Sequence, residues 1–472
     1  MTKNLFLVLL LAVQTAFAQI ISKDPAFASN GIYNVGNGIY YSWTMAQDSA
    51  GRIYSSYSAP NSNESFVFRL TTNGTLDPAF GSNGKIQLPY YTYQCQLKIQ
   101  PDGKLIIFGY GNISTVSGSI ATGIVYRILS NGQLDPTFGT GGISIISSIV
   151  GSDIDARSLG LILQNGKIIV HGMSSYTQHN IYRLNTDGSI DNTFGNNGSV
   201  STQGAFPLGT FVLIDNQLNI TCITRTSSSN YGNSIIEKFN SNGQPITNFG
   251  NNGILQTAFG LGYVGSAMID SNNKIVYSNQ NHEIFRINPD GTLDNTFNYN
   301  LPIFSGTNGG AWIQSIVEKN GYYYIGGNGE GDFAPKYFIS KLNQNGSINS
   351  SFGYYSETSD LYSIEEMIIN DNNMIVNGSG SIVKYMLNNA TLSTTDITKI
   401  NHDISFENPV KENLVFSTNE KVSTIEIYSR EGKIVKTLKD DNTNLVKLLK
   451  GTYIAKFTFQ NGKTAVKKLI KN

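Results

Sequence analysis

Residues 127–139 read RILSNGQLDPTFG, and a near copy, RLTTNGTLDPAFG, occupies residues 69–81. Both stretches combine an Arg-Ile/Leu start, an Asn-Gly turn and an Asp-Pro-x-Phe-Gly ending. A truncated copy, Asp24-Pro25-Ala26-Phe27, precedes the first complete one, so the chain contains an internal repeat. The phenylalanines of the seven copies, spaced 48 to 58 residues apart, are Phe27, Phe80, Phe138, Phe194, Phe249, Phe297 and Phe352.

A second repeated element lies between successive copies of this motif. In residues 96–109 it is an alternating strand, a Pro-Asp-Gly turn and an apolar strand. Each unit reads as four short strands: one after Phe-Gly, two in the hairpin and one leading into the next Arg-Leu. Such a repeat predicts an all-β fold, a seven-bladed β-propeller of four-stranded blades. The seven hairpins are centred on Gly51, Gly103, Gly166, Asn216, Asn273, Gly321 and Asn373.

The repeated phenylalanine is expected to pack between adjacent blades, because one blade cannot bury both of its faces alone. The last unit loses its motif at Ser393, and the missing Asp-Pro-x-Phe is found at residues 24–27. We therefore predict that the N-terminal fragment completes the junction between the last and first blades, with Phe27 near the final hairpin.

Repeats of the form R-L-x-x-[ND]-G-x-L-D-x-x-F-G resemble the delta-60 repeat, a β-propeller blade family of secreted bacterial proteins. The resemblance covers roughly residues 20–395 and implies a fold without implying an activity. Two copies depart from the pattern. The fourth reads Pro245-Ile246-Thr247-Asn248, and the fifth has Asn298 where the others have glycine.

The N-terminus has the features of a signal peptide: Lys3, an apolar run from Leu5 to Val13, and Ala16-Phe17-Ala18. Cleavage is expected after Ala18. The run is shorter than the roughly 20 residues of a membrane-spanning helix, so we expect no transmembrane segment in the mature chain. The predicted domains are a signal peptide (1–18), the propeller (19–395) and a small C-terminal domain (396–472).

The C-terminal region differs from the repeats in charge and pattern. From Thr398 onward it carries 14 Lys/Arg against 8 Asp/Glu. Its short β-rich segments predict a two-sheet β-sandwich. These segments are Asn413 to Phe416, Val422 to Tyr428, Lys433 to Leu438, Leu445 to Leu449, Tyr453 to Phe459 and Thr464 to Ile470.

This region resembles the type A sorting domain of the type IX secretion system of Bacteroidetes. The resemblance implies passage through the periplasm, recognition by the type IX machinery and transport across the outer membrane. The protein is then expected to be secreted or held on the outer surface. The matching residues include Asn408, Pro409, Gly432, Lys433, Gly451, Tyr453, Lys467 and Lys468.

Composition excludes several classes of function. The net charge is zero and no basic cluster is present, so nucleic acid is not an expected partner. The four histidines do not provide the three or four converging ligands of a zinc site, and we predict no metal and no cofactor. Cys95 and Cys222 fall in units two apart, so we expect buried thiols that are not joined in a disulfide.

The connections on one face of the predicted propeller vary from unit to unit, whereas the hairpins and Asp-x-x-Phe connectors repeat. Such variation on a rigid scaffold is where a specific site can be built. Aromatic residues gather on that face, near the expected inner strands; they could bind a ligand or serve only in packing. The candidate binding residues are Tyr40, Tyr41, Tyr90, Tyr91, Trp312, Tyr354, Tyr355, Asp153 and Asp155.

These features favour a non-enzymatic binding or adhesion module for a glycan or another surface protein. The alternative is an extracellular polysaccharide-degrading enzyme, a lyase or hydrolase, on a propeller scaffold. Carboxylate, arginine or tyrosine side chains lining the central channel in only a few blades would favour an enzyme. No residue is predicted as catalytic.

Overall fold

The computed structural model describes residues 21–36, 40–59, 63–115, 118–150, 160–175, 178–204, 206–225, 233–257, 264–279, 282–299, 311–329, 336–357, 361, 363–378, 380–387, 404–418, 420–429, 434–439, 443–460 and 464–472. The chain separates into two compact units, Met1–Asn388 and Asn389–Asn472. No helix in the described part of the chain has the length and apolar character needed to span a membrane.

The first unit is built from β-strands, numbered here along the whole chain. Two short strands, β1 (Ile21–Lys23) and β2 (Ile32–Asn34), come first. The next sixteen strands form four antiparallel four-stranded sheets, with strands adjacent in chain order. They are β3 (Tyr40–Gln47), β4 (Ile53–Ala59), β5 (Glu64–Leu70), β6 (Lys85–Gln87); β7 (Thr92–Ile99), β8 (Leu105–Thr115), β9 (Gly118–Ile128), β10 (Ile143–Val150); β11 (Gly160–Gln164), β12 (Lys167–Ser175), β13 (Gln178–Leu184), β14 (Ser199–Ser201); β15 (Phe206–Ile214), β16 (Ile220–Arg225), β17 (Ser234–Phe239) and β18 (Ile254–Gln256).

Three further sheets follow in the first unit. The fifth sheet has three strands among the described residues; the place expected for a fourth, residues 300–310, lies outside them. The seventh sheet takes its outermost strands from the N-terminus, because β1 and β2 both pair with β28. The strands are β19 (Ser266–Ile269), β20 (Ile275–Ser278), β21 (Ile284–Ile287); β22 (Ala311–Lys319), β23 (Tyr322–Gly329), β24 (Lys336–Leu342), β25 (Tyr354–Glu357); β26 (Glu366–Ile369), β27 (Asn373–Gly378) and β28 (Ser381–Leu387).

The seven sheets form a closed ring. The first strand of each sheet packs against the first strands of both neighbours, in the order β3, β7, β11, β15, β19, β22, β26 and back to β3. Sheets arranged radially around inner strands in this way make a β-propeller. The all-β propeller predicted from the repeats is confirmed, and the ring of sheets is consistent with seven blades.

The sequence repeat and the blade are out of phase by one strand. The strand that follows Phe-Gly pairs with the strand that precedes the motif, as Val67 of β5 does with Ile86 of β6. One repeat therefore supplies the outermost strand of one blade and the three inner strands of the next. The assignment of all four strands of a unit to one blade was wrong, because the connection after Leu88 crosses from the outer edge of one blade to the centre of the next.

This offset explains how the ring closes. Tyr33 of β2 pairs with Ile382 of β28, so the N-terminal fragment occupies the outermost place of the seventh blade. Phe27 is fully buried in a cluster that joins Ile375 of that blade to Ile53 of the first. The predicted closure is confirmed.

The repeated phenylalanine lies between blades. Phe138 is fully buried in a cluster that contains Ile106 of the second blade and Val170 of the third. Phe297 is also buried, at 8% exposure, whereas Phe352 is half-buried. The other fully buried members are Phe27, Phe80, Phe194 and Phe249.

Arginine and aspartate of the motif complete what we term the Arg–Asp–Phe clasp. Arg127 Nε donates to Asp135 Oδ2 at 2.8 Å, and the guanidinium lies 4.6 Å from the Phe138 ring centroid. Arg127 Nη1 also donates to the Thr186 carbonyl of the next blade. Burial favours a raised pKa for Asp135, but hydrogen bonds from Thr137 and the nearby positive charges hold that pKa below its ordinary value. The clasp recurs at Arg69–Asp77–Phe80, Arg183–Asp191–Phe194 and Arg286–Asp294–Phe297.

Two blades replace the clasp. In the fourth blade, where Ile246 stands in the aspartate position, Lys238 Nζ instead lies 3.2 Å from Asp215 Oδ2, and both side chains are buried. In the sixth blade, Lys341 Nζ lies 3.7 Å from the Tyr322 ring centroid. The buried Lys238 thus keeps an ionic partner, as a low-polarity environment requires, and the half-buried Lys341 keeps an aromatic one.

The glycine after the phenylalanine is needed where the chain meets the next blade. Gly139 has a φ of 52°, and its amide donates to the Asp187 carbonyl of the third blade at 2.6 Å. A Cβ at this position would lie 2.0 Å from the Ile143 carbonyl oxygen, so no other residue fits without a backbone shift. In the fifth copy, which has Asn298 at this position, the backbone amide of Asn298 donates the equivalent hydrogen bond to the Asn345 carbonyl at 2.7 Å.

The second unit contains two antiparallel sheets. A small sheet pairs β29 (Ser405–Phe406) with β30 (Phe416–Ser417), and its phenylalanines pack on Phe457 of the larger sheet. The larger sheet has the order β32-β31-β33-β34. Its strands are β31 (Val422–Tyr428), β32 (Ile434–Leu438), β33 (Gly451–Phe459) and β34 (Thr464–Lys471).

One predicted strand of this unit is absent. Residues 445–449 form a turn, since no partner strand runs alongside them among the described residues. Leu445 is fully buried, and its amide donates to the Glu412 carbonyl. The other predicted segments correspond to strands with shifted ends, and β29 was not anticipated.

Candidate functional site

A cavity of about 490 Å³ lies where the seven inner strands converge. Every inner strand contributes to its wall, so this is the central channel of the propeller. A cavity of this size is within the range of about 300–1,000 Å³ that is usual for small-molecule sites. The equivalent residue of each inner strand lines the cavity, at the position four residues before the first residue of the hairpin turn. These seven residues are Thr44, Gln96, Gly160, Phe211, Ser266, Ser315 and Glu366.

The channel wall is polar on one side. The charged and amide side chains come from the sixth, seventh and second blades, which with Thr44 of the first blade make a consecutive part of the ring. Thr210 and Ser266 are the smaller polar residues of the opposite side. The third, fourth and fifth blades contribute mainly apolar residues, such as Leu161, Leu213 and Met268. We term the polar part the channel arc; its residues are Thr44, Gln96, Lys98, Gln314, Glu365 and Glu366.

Hydrogen bonds hold part of the channel arc in place. Gln314 Nε2 donates to Glu365 Oε2 at 3.2 Å, and Ser363 Oγ donates to the same carboxylate. The carboxylate of Glu366 accepts the Met45 amide of the first blade at 2.5 Å. Gln314 and Glu365 are therefore positioned across the boundary between the sixth and seventh blades.

One acceptor in the channel arc has no protein partner. Gln314 Oε1 is buried and accepts no hydrogen bond from the residues that the structure describes. A buried acceptor left unpaired costs about 1–3 kcal/mol, and an atom closed to water is also closed to a ligand in the channel. Burial raises the pKa of Glu366, opposed by the charge of Lys98 and by the Met45 amide.

The aromatic residues predicted as a binding rim do not form one group. Trp312 lies on the inner strand β22, where it is half-buried, and Tyr40 and Tyr41 lie on the inner strand β3. The side chains of Tyr40, Tyr41 and Tyr354, and the whole of Asp153 and Asp155, lie outside the described residues.

The remaining rim residues occupy other places. Tyr354 and Tyr355 lie on β25, the outermost strand of the sixth blade, so their expected position near the inner strands was wrong. The one-strand offset between repeat and blade is the reason. Tyr355 packs against Tyr385 of the seventh blade with ring centroids 5.3 Å apart. Tyr90 and Tyr91 lie in the connection from β6 to β7, where Tyr90 packs on the core between the first two blades.

The sequence interpretation missed the channel arc because its members come from four repeat units, which lie about 50 residues or more apart, and belong to a repeated strand. A usable signal existed. At one register of the inner strands the residue changes from glycine to phenylalanine to glutamate between units, whereas the position that follows it stays apolar in all seven units. Variation confined to one register is typical of a surface that the repeat scaffold does not need.

Buried titratable groups also lie outside the channel. Glu237 and His179 are almost fully buried, on β17 and β13 of neighbouring blades. Burial raises the pKa of Glu237 to about 7, partly offset by the Gln203 amide, and burial lowers the pKa of His179 to about 4. Cys95 and Cys222 are buried and form no disulfide, as predicted. The described residues contain no group of three or more His, Cys, Asp or Glu side chains that could hold a metal ion.

These two groups predict opposite pH dependences of stability. The raised pKa of Glu237 stabilises the fold below about pH 4.3, its unfolded value, and this contribution is lost as pH rises through 7. The lowered pKa of His179 gives stability above about pH 6.5 that is lost as pH falls through 4. Each shift corresponds to about 3 kcal/mol.

In the unsubstituted protein, the free energy of unfolding should fall by about 3 kcal/mol between pH 4.5 and pH 8 as Glu237 ionises. Glu237→Gln removes this fall, so the variant should gain about 3 kcal/mol on the unsubstituted protein over the same pH range. His179→Phe should change the dependence in the opposite sense. Urea unfolding at pH 4.5, 6.5 and 8 measures both. Parallel pH profiles for all three proteins would show that neither group titrates as its burial implies.

The sorting residues of the second unit are organised around its last strand. Asn408 Nδ2 donates to the Lys468 carbonyl, and the Ile470 amide donates to Asn408 Oδ1, both at 2.8 Å. Tyr453 Oη donates to the Leu449 carbonyl at 2.9 Å. Pro409 lies beside Asn408, Gly451 opens β33, Lys467 and Lys468 are exposed on β34, and Gly432 and Lys433 lie outside the described residues.

Comparisons with known proteins agree with both units. Residues 406–472 match the family described as "Secretion system C-terminal sorting domain". Residues 53–80, 100–138, 163–194 and 272–297 match the "Domain of unknown function (DUF5122) beta-propeller". A search of curated proteins finds no match. Among solved structures, the PQQ-bound aldose sugar dehydrogenase of Streptomyces coelicolor is similar with a TM-score of 0.36 and 13% identity, covering 61% of this chain and 92% of that chain.

The fold and these matches define an exported β-propeller protein. The chain carries DUF5122-type, delta-60-like propeller repeats followed by a type IX C-terminal sorting domain. The sorting domain marks a protein that leaves the cell and is secreted or attached to the outer surface, and it implies interaction with the type IX secretion machinery.

Proposed function

We propose that the propeller is a non-enzymatic binding module that takes a glycan end in its central channel, outside the cell. The observation that carries this proposal is the channel arc, where the amide of Gln314, the carboxylate of Glu365 and the ammonium group of Lys98 belong to residues that line one cavity. The arc faces an otherwise apolar wall.

The chemistry of the arc suits a ligand with several hydroxyl groups. A hydroxyl both donates and accepts, so a sugar can donate to the Glu365 carboxylate while accepting from Lys98. Hydrogen bonds to charged groups are the stronger ones, at about 1.5–3 kcal/mol each. The apolar residues of the opposite wall can pack against the C–H faces of the ring.

A surface protein remains the second type of ligand for this module. Exposed connections on the varied face would then contact it, and Trp312 on β22 lies two residues before Gln314 of the arc. The channel arc favours the glycan, because a cavity of about 490 Å³ admits a sugar end and excludes a folded domain.

We expect Glu365→Gln, Gln314→Leu and Lys98→Met each to weaken glycan binding at least about tenfold, the effect of one lost charge-assisted hydrogen bond. A glycan array with the mature protein selects the ligand, and calorimetry with that glycan measures the variants. Glu64→Gln and Lys85→Met, the same types of substitution on the first blade away from the channel, serve as controls.

Three results would count against the proposal. Absence of binding to any glycan would leave a protein ligand, and unchanged binding by the channel variants would move the site elsewhere. Release of cleavage products during incubation with polysaccharides would identify an enzyme instead, which is the alternative favoured by channel carboxylates confined to one blade, Glu365 and Glu366. Thermal unfolding of each variant distinguishes loss of binding from loss of fold.

A further inference from the structure

The strand β32 lies at an edge of the larger sheet in the second unit. It pairs with β31 on one side, as in Ile427↔Lys436, and the described residues place no strand on its other side. An unpaired strand edge presents backbone N–H and C=O groups that can bind another strand. A groove runs along this edge, between β32 and the turn at Val446.

The surface around this edge exposes large apolar side chains. Ile434 is 52% exposed, Val435 44% and Val446 57%. Val446 lines the groove, and Ile434 and Val435 begin the strand beside it. Exposed apolar side chains that lie close together, rather than scattered singly, indicate an interaction site. We term this surface, with its lysines, the β32 groove.

Its charge indicates the kind of partner. Lys436, Lys439 and Lys447 line the groove, and none of them forms a salt bridge with a described residue. Among the described residues of this unit, the lysine in a salt bridge is a different one, Lys456, whose Nζ lies 3.2 Å from Glu426 Oε2. Among the described residues, the groove therefore combines an unpaired strand edge, exposed apolar side chains and positive charge without an ion-pair partner.

We propose that the β32 groove is the docking surface through which the sorting domain binds an acidic, apolar-bearing strand of the export machinery. The added strand would extend the sheet at β32 by main-chain hydrogen bonds, and its side chains would meet Val435 and the three lysines. A second copy of this chain does not fit the groove, because two lysine-lined edges placed opposite each other repel.

The test is export of the full chain in the cell. We expect the combined Lys436→Glu/Lys439→Glu/Lys447→Glu variant to reduce the amount of exported protein at least about tenfold, with the folded chain accumulating in the periplasm. The matching Lys→Gln variant should be less impaired, because it removes attraction without adding repulsion. Val415→Asp, at a residue 74% exposed outside the groove, should be exported normally.

Further measurements keep the outcome decisive. Thermal unfolding and protease resistance of the periplasmic protein establish that the Lys→Glu variant has folded. Removal of residues 406–472 must abolish export; if it does not, the sorting role of the whole unit fails, and the groove is not the reason. Normal export of the folded Lys→Glu variant, or equal defects in the Lys→Gln and Lys→Glu variants, would overturn the docking proposal.

Discussion

Replacing Phe138 by alanine is expected to lower the free energy of unfolding by about 3–5 kcal/mol. The ring is fully buried between the second and third blades, and it supports the guanidinium of Arg127 at 4.6 Å. Its removal leaves a cavity at a junction where Arg127 also reaches the Thr186 carbonyl of the next blade. Urea unfolding of the mature protein, followed by far-UV circular dichroism, measures the loss.

The chain offers a matched control for this substitution. Phe352 occupies the same place in the repeat but is half-buried, and the neighbouring cation, Lys341, lies over Tyr322 instead. Phe352→Ala is expected to cost only about 1–2 kcal/mol. Equal losses at the two positions would show that the repeat, rather than the burial and the clasp, determines the contribution of each phenylalanine.

Removing the ring-closing strands should have a still larger effect. A mature protein that lacks residues 21–36 loses β1 and β2 and the buried side chains of Ile21 and Phe27. It also loses the hydrogen bond that the Ala28 amide donates to the Asn73 carbonyl of the first blade. It also leaves β28 as an open strand edge, which promotes aggregation. These losses together approach the total stability of a typical domain, roughly 5–15 kcal/mol.

We therefore expect this truncated protein to show no cooperative thermal transition at room temperature and above, and to elute as aggregates from a size-exclusion column. Removal of residues 406–472 is the control, because those residues belong to a separate compact unit and the propeller should keep its transition. A truncated ring that melts like the complete one would mean that the blades are held by their neighbours without closure.

Much of the architecture is predictable because a propeller repeats its local chemistry. The Asp-Pro-x-Phe-Gly motif recurs with its buried phenylalanine, and the N-terminal copy without a preceding strand indicates how the ring closes. The sorting domain was likewise recognisable, since its motif residues lie near one another in the sequence. Within that domain, residues 445–449 show the limit of such patterns, because Leu445 is buried in a turn rather than a strand.

The candidate site was not predictable in the same way. Lys98, Gln314 and Glu365 come from three blades, and nothing local in the sequence brings them together. Tyr354 and Tyr355 illustrate the opposite error: their motif position suggested an inner place, but they lie on an outermost strand.

The amino-acid sequence by itself therefore determined the repeat, the buried phenylalanines, the closing fragment and the exported class of the protein. Each of these depends on residues close in the chain, where spacing and turn chemistry act directly. Only the tertiary structure decided which strand of each unit faces the centre. The strand after Phe-Gly pairs with the strand before the motif and so lies at the outer edge of the preceding blade, and the next strand along the chain becomes the innermost one. The channel arc follows from that pairing, since the identity of the inner strands alone brings side chains from four blades to one cavity.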